Sequence, residues 1–218
     1  MSDDNEAAQI SQGLKNASNM SLSQLQGLSN QIGGILGRGE IRMECKYDNY
    51  KEKYEITTRD GVEISRTFIN SRYVGQSSKI ESVPLSSNNV SDLKAAQNCI
   101  NMLIQNIQNI HSSIKSLRNI ANKPNNLIDL NQALDLCEKF LGPLEKEGKL
   151  PKRGDSLVRF VSLDGKRQVR WDIEPKQSHC KGKPHFNFEI IDKDYLYQLS
   201  KELGFNVEQN YHLFLNET

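Results

Sequence analysis

Leu93, Ala96, Ile100, Leu103, Ile107, Ile110, Ile114, Leu117 and Ala121 recur in alternating steps of three and four residues. Side chains at that spacing line one face of an α-helix, so the stretch predicts four heptads with apolar a and d positions. Ser91 and Asp92 supply N-cap chemistry ahead of it, and Asn122-Lys123-Pro124 stops it. A helix of about 30 residues reaches roughly 45 Å at 1.5 Å per residue. The e and g positions hold mostly Gln, Asn, Ser and Lys, so no charge code for a partner is written beside the seam. The seam can close within the chain, on a second copy, or on the β region that precedes it. His111 sits beside it as a surface residue.

The periodicity differs on either side of this helix. Leu14, Ala17, Leu22, Leu25, Leu28, Ile32 and Ile35 allow one or two amphipathic helices within residues 1–39, ended by Gly33-Gly34 and Gly37-Arg38-Gly39, the other reading of this weakly charged stretch being a frayed or disordered leader. Over 40–86 the period becomes two, first in Ile41, Met43, Cys45 and Tyr47 and then in two later runs. Asp60-Gly61 between those runs is a tight-turn pair, and the region reads as a small antiparallel meander with edge strands near Tyr73-Val74 and Lys79 to Val83. Behind the heptads, Asn125-Asn126 opens a second helix whose stripe is Leu127, Leu130, Leu134, Cys137, Phe140 and Leu141, stopped by Gly142-Pro143. The charged segment from Leu144 to Lys152 is a linker into residues 143–218. There the order is strands, a short helix ended by Gly204, and a last strand. The expected fold class is therefore α+β: an N-terminal amphipathic helix, a β-meander, helices over 87–142, and a compact C-terminal module with an antiparallel sheet.

Charge and composition exclude several functional classes. The 28 Lys and Arg nearly balance the 27 Asp and Glu, so the whole chain carries no electrostatic demand for nucleic acid or membrane. Locally, Lys149 to His185 holds ten basic and four acidic residues, whereas Phe186 to the end holds two and six. No apolar run is long enough for a membrane span, and the acidic start Met-Ser-Asp-Asp lacks a signal peptide's charge. The protein is expected in the cytoplasm, or in a target cell after delivery by a specialised secretion system. The four scattered cysteines, with no C-x-x-C, read as free thiols.

The candidate chemistry gathers in the last module. In Lys-Gly-Lys-Pro-His-Phe-Asn-Phe-Glu-Ile-Ile (181–191), the phenylalanines alternate with His185, Asn187 and Glu189, which share the opposite face behind a basic lead-in. Arg170 and Asp172 lie on the return strand of a hairpin turned at Asp164-Gly165, and His212 lies on the last strand. Metal-free RNA cleavage needs a base for the 2′-hydroxyl, an acid for the leaving 5′-oxygen, and cations for the phosphate. Histidine, with an ordinary pKa near 6.5, serves either proton role. His179, Cys180 and His185 carry zinc-ligand types, but adjacent His-Cys is awkward for one ion and no second cluster completes the set. No metal or other cofactor is expected. The common nucleotide-hydrolase, serine-hydrolase and H-E-x-x-H motifs are missing from the sequence.

The run from Gly154 through Arg170-Trp171-Asp172, then Gly182-Lys-Pro-His-Phe-Asn-Phe-Glu189 and a closing Asn210-Tyr-His-Leu-Phe214, resembles C-terminal toxin domains of bacterial polymorphic toxin systems. Those domains pair an Arg-aromatic-Asp hairpin with a Gly-x-Pro-His-(Phe/Trp/Ile)-Asn-(Phe/Val/Ile)-Glu strand. The resemblance covers about residues 143–216. It implies a barnase/EndoU/colicin/RelE-like fold and metal-independent ribonuclease activity, with a site at His185, Arg170, Asp172, Asn187 and Glu189, joined by His212 and Lys183. His185 and His212 are then the base and acid, and Arg170 and Lys183 hold the phosphate. RNA is the implied substrate and a neutralising immunity protein the implied partner. The alternative is a non-enzymatic assembly protein that pairs through the heptad helix 91–121, with a C-terminal module that only binds.

Overall fold

The computed structural model describes residues 5–51, 54–59, 62–68, 72–142, 157–172 and 183–216. The α+β class holds, and the chain divides into two compact units, 1–101 and 102–218. Asp60-Gly61, the 144–152 linker, His179, Cys180 and the lead-in Lys181-Gly182 lie outside the described residues.

The first unit begins with helices α1 (Glu6–Asn16) and α2 (Leu22–Arg38). Asn5 caps α1, and Ser21 with Gln24 forms a reciprocal capping box on α2. Ile10, Leu25, Leu28, Ile32 and Ile35 are buried, as helical spacing requires. The expected stop at Gly33-Gly34 does not occur; α2 runs on to Gly39, whose φ of 72° ends it. Gly33 has a packing reason instead. A Cβ there would meet Gln97 Nε2 at 3.1 Å, and Gln97 donates to Ser29 O at 3.0 Å. The glycine lets the start of α3 (Ser87–Ala121) approach.

Between α2 and α3 stand β1 (Glu40–Lys51), β2 (Tyr54–Arg59), β3 (Val62–Phe68) and β4 (Arg72–Pro84). Their pairing is nested rather than sequential: β1 pairs with β4 and β2 with β3, both antiparallel. The segment expected at the edges is therefore part of one strand, β4, that runs along β1 from Lys51↔Arg72 to Glu40↔Pro84. Alternation marks strands but not their partners, which is why a meander and nested hairpins read alike.

In the second unit, α3 is followed by β5 (Leu127–Ile128), α4 (Leu130–Leu141), β6 (Leu157–Val161), β7 (Arg167–Asp172), β8 (His185–Ile190), α5 (Lys193–Leu203) and β9 (Asn210–Leu215). The expected helix start at Asn125-Asn126 is displaced. Leu127-Ile128 forms a short strand, and α4 starts behind Asp129, whose side chain accepts the Gln132 N–H. The sheet order is β5-β9-β8-β7-β6, antiparallel except for β5 on β9. One face carries Val169, Phe186, Phe188, Ile190, Tyr211 and Leu213 into a core with Ala133, Leu136 and Phe140 of α4 and Leu199 of α5. Ile110, Ile114 and Leu117 of α3 complete that core. The heptad stripe is thus covered within the chain at these positions, and Ile100 is likewise buried. No described helix is long and apolar enough to cross a membrane.

Candidate functional site

The sheet face opposite the core is polar. Register sets Arg159, Arg170, Asn187 and His212 side by side across β6, β7, β8 and β9. Two residues along toward one end, His185 and Phe214 form the next row on this face, with Asp172 opposite His185 in the backbone register; toward the other lie Gln168, Glu189 and Asn210. Alternation along each strand puts these residues on one side. The fold therefore brings Arg170, Asn187, Glu189, His185 and His212 together, and aligns Asp172 with His185 through the backbone. Lys183 is exposed just ahead of β8 and enters through its carbonyl, which lies 3.1 Å from His185 Nδ1.

A carbonyl only accepts, so Nδ1 is the donor in that contact. The His185 ring lies 5.5 Å from the His212 ring and 5.6 Å from Phe214, centroid to centroid. His185 and Asn187 are each only 1% exposed, deeper than a half-buried strand implies. The cause is their place on a central strand, flanked by Arg170 on β7 and by the rings of His212 and Phe214 on β9. Exposure remains at Arg170 (33% of its side chain), Glu189 (20%) and His212, which is half-buried.

Glu189 is held between two β7 side chains. Gln168 Nε2 donates to its Oε2, and the Arg170 guanidinium stands 3.7 Å from the same oxygen. Gln168 went unnoticed in the sequence, although its two-residue spacing from Arg170 places it on this face. Three buried polar atoms here make no hydrogen bond among the described residues: Gln168 Oε1, Arg170 Nε and Asn187 Oδ1. Leaving such an atom unpaired costs about 1–3 kcal/mol, and these three could take up hydrogen bonds from a bound group. Acceptors and a cationic donor together suit a group that offers both hydroxyl and anionic oxygen.

Arg167, on the other face, is not part of this site. It is buried, bonded to Tyr195 Oη at 2.7 Å and Leu141 O at 3.3 Å, and paired with Asp164 at 3.3 Å. No family model matches the chain, and no curated protein or solved structure does.

Proposed function

We propose that the second unit cleaves RNA on the polar face of its sheet, without metal, as a toxin-like effector domain. The observation that supports this is the company kept by the accessible groups: a carboxylate, an imidazole and a guanidinium on three neighbouring strands. Glu189 accepts the 2′-hydroxyl proton as that oxygen attacks phosphorus. The bond from phosphorus to the 5′-oxygen breaks, and protonated His212 supplies the leaving oxygen with its proton. A 2′,3′-cyclic phosphate and a free 5′-hydroxyl result. Arg170, with Lys183 at the entrance, offsets the charge that builds on the phosphate.

His185, first expected as base or acid, has a supporting place in this scheme. Buried behind the row and tethered to the Lys183 carbonyl, it packs against His212 and orients it. Asn187 offers its acceptor to a substrate hydroxyl or base. A neutralising immunity protein, in this reading, covers the same face. The assembly alternative through 91–121 is weakened because Ile100, Ile110, Ile114 and Leu117 are buried within the chain.

The test is cleavage of total RNA by the purified full-length protein in EDTA, with product ends identified chemically. His212→Ala and Glu189→Gln are each expected to lose about 10²-fold or more, the usual scale for one acid or base. Cyclic phosphate ends support the scheme. A folded protein that leaves RNA intact, or cleavage indifferent to both substitutions, overturns it.

A further inference from the structure

Beyond Arg42, where Glu6 of α1 meets it, the outer edge of β1 is long and patterned. Among the described residues β4 is its only strand neighbour. Two-stranded ribbons are marginal in water, and an edge this long is a template for another strand. The hydrogen-bonding parity is legible from two contacts. Leu85 N–H donates to Gly39 O at 2.9 Å, which makes the odd-numbered residues of β1 the bonded partners of β4. Consistently, the even-numbered Arg42 turns its N–H outward, where Glu6 accepts it at 3.1 Å. Glu44, Lys46 and Asp48 therefore direct their backbone groups to the open edge.

The side chains of the same residues share one exposed face, and their charges alternate: Glu40, Arg42, Glu44, Lys46, Asp48. Edge strands that only repel neighbours need a single sign of charge; alternation instead complements itself at selected registers. Two antiparallel registers of β1 against a second copy each bring four opposite-charge pairs face to face. One centres on Met43 and puts Arg42 against Glu44 in its two central bonded pairs, where Glu6 already occupies Arg42 N–H. The other centres on Cys45 and opposes Glu44 to Lys46 twice, with Arg42 against Asp48 outside them.

We propose that this second register is a homodimer seam, with two copies of β1 meeting about a two-fold axis at Cys45 to make a four-stranded β4-β1-β1-β4 sheet. The partner is a second copy of this chain because the code is self-complementary. Nucleic acid is disfavoured, since the face carries acid and base in turn. Cys45 opposes itself at a non-hydrogen-bonded pair, where Cα atoms stand about 4.5 Å apart, inside the range a disulfide spans. The seam lies in the first unit and does not depend on the ribonuclease reading.

Sedimentation of the full chain, with and without copper–phenanthroline as oxidant, tests it. A dimer is expected, and oxidation should join two Cys45 thiols with loss of two protons and two electrons to the oxidant. Cys45→Ser should remove the cross-link while Cys99, Cys137 and Cys180 remain. Lys46→Glu sets like charges opposite one another twice and should weaken dimerisation by about tenfold or more. The double exchange Glu44→Lys with Lys46→Glu restores every pair and should restore the dimer, which separates lost pairing from lost folding. A monomer throughout the micromolar range overturns the proposal, as does a dimer that ignores Lys46→Glu and gives no Cys45 link.

Discussion

Replacing Arg167 with methionine tests how the second unit tolerates a buried cation. The guanidinium is 4% exposed as a residue and ties the β6–β7 turn to α4 and α5 through Asp164, Leu141 O and Tyr195 Oη. Hydrogen bonds with one charged partner are worth about 1.5–3 kcal/mol each, so two lost bonds set a gross loss of about 3–6 kcal/mol. Methionine returns part of that, because it fills much of the volume and spares the cost of desolvating the cation. Asp164, with 42% of its side chain exposed, is not stranded as a buried charge. The net expectation is a loss of about 2–3 kcal/mol, below the 3–5 typical of breaking a fully buried pair. With a urea slope of about 2 kcal/mol/M, the midpoint should fall by roughly 1 M. Trp171 is the single tryptophan and stacks on Phe186 at 5.3 Å, so its fluorescence reports unfolding of this unit. Arg167→Lys keeps the charge but not the planar fork that reaches three partners, and should fall between. A methionine variant as stable as the parent would refute the reasoning, for it would mean that desolvation cancels all three contacts.

The same urea measurement checks two further expectations. Burial pushes the Asp164 carboxyl up, but the Ser162 hydroxyl, the Arg167 and Lys166 charges and the Lys166 N–H outweigh it and hold the group below its usual range. The folded state then binds that proton less tightly than the unfolded chain. Its contribution is complete above the ordinary carboxylate value near 3.9 and is lost as pH falls through the lower folded value. Asp164→Asn should therefore be less stable than the parent at pH 7 and converge with it in acid; a constant gap down to pH about 3 would contradict this. Phe188 is fully buried, edge-on to Phe140 at 5.5 Å and 86°, so Phe188→Ala should cost about 3–5 kcal/mol, and a loss under about 1 would show that the core collapses around the gap.

Much of the helical structure was legible because helix spacing reports burial directly: Ile100, Ile110, Ile114 and Leu117 were named by their intervals and are buried. Strand alternation is weaker information. It put His185, Asn187 and Glu189 on one face of β8, and that is where they lie. It did not show that β7 and β9 flank β8, and so could not bring His212 within 5.5 Å of His185 or set the depth of Asn187. Leu127-Ile128 escaped for a related reason. Two residues carry no period, and their pairing with Phe214 and Leu215 is decided by the rest of the sheet. Gly33 misled because a glycine that admits a neighbouring helix has the same letter as one that ends its own.

The nested ladders of β1 to β4 also carry a consequence for how the chain acquires its shape. Within each ladder, from Arg59↔Val62 to Tyr54↔Phe68 and from Lys51↔Arg72 to Glu40↔Pro84, each rung forms beside one already made, so little loop entropy is spent at any step. Each ladder can close like a zipper from its local end. The second unit has no such route: β8 is bonded on one side to β7, but its other neighbour arrives only with Asn210–Leu215, and β5 must wait for that same strand. During synthesis these ladders are complete early, while β8 keeps one edge open until β9 has been made. Helix α5, made between β8 and β9, then joins α3 and α4 in shielding the nascent sheet's apolar face, and substitutions that weaken it should lower the yield of soluble protein before they lower the stability of the finished fold.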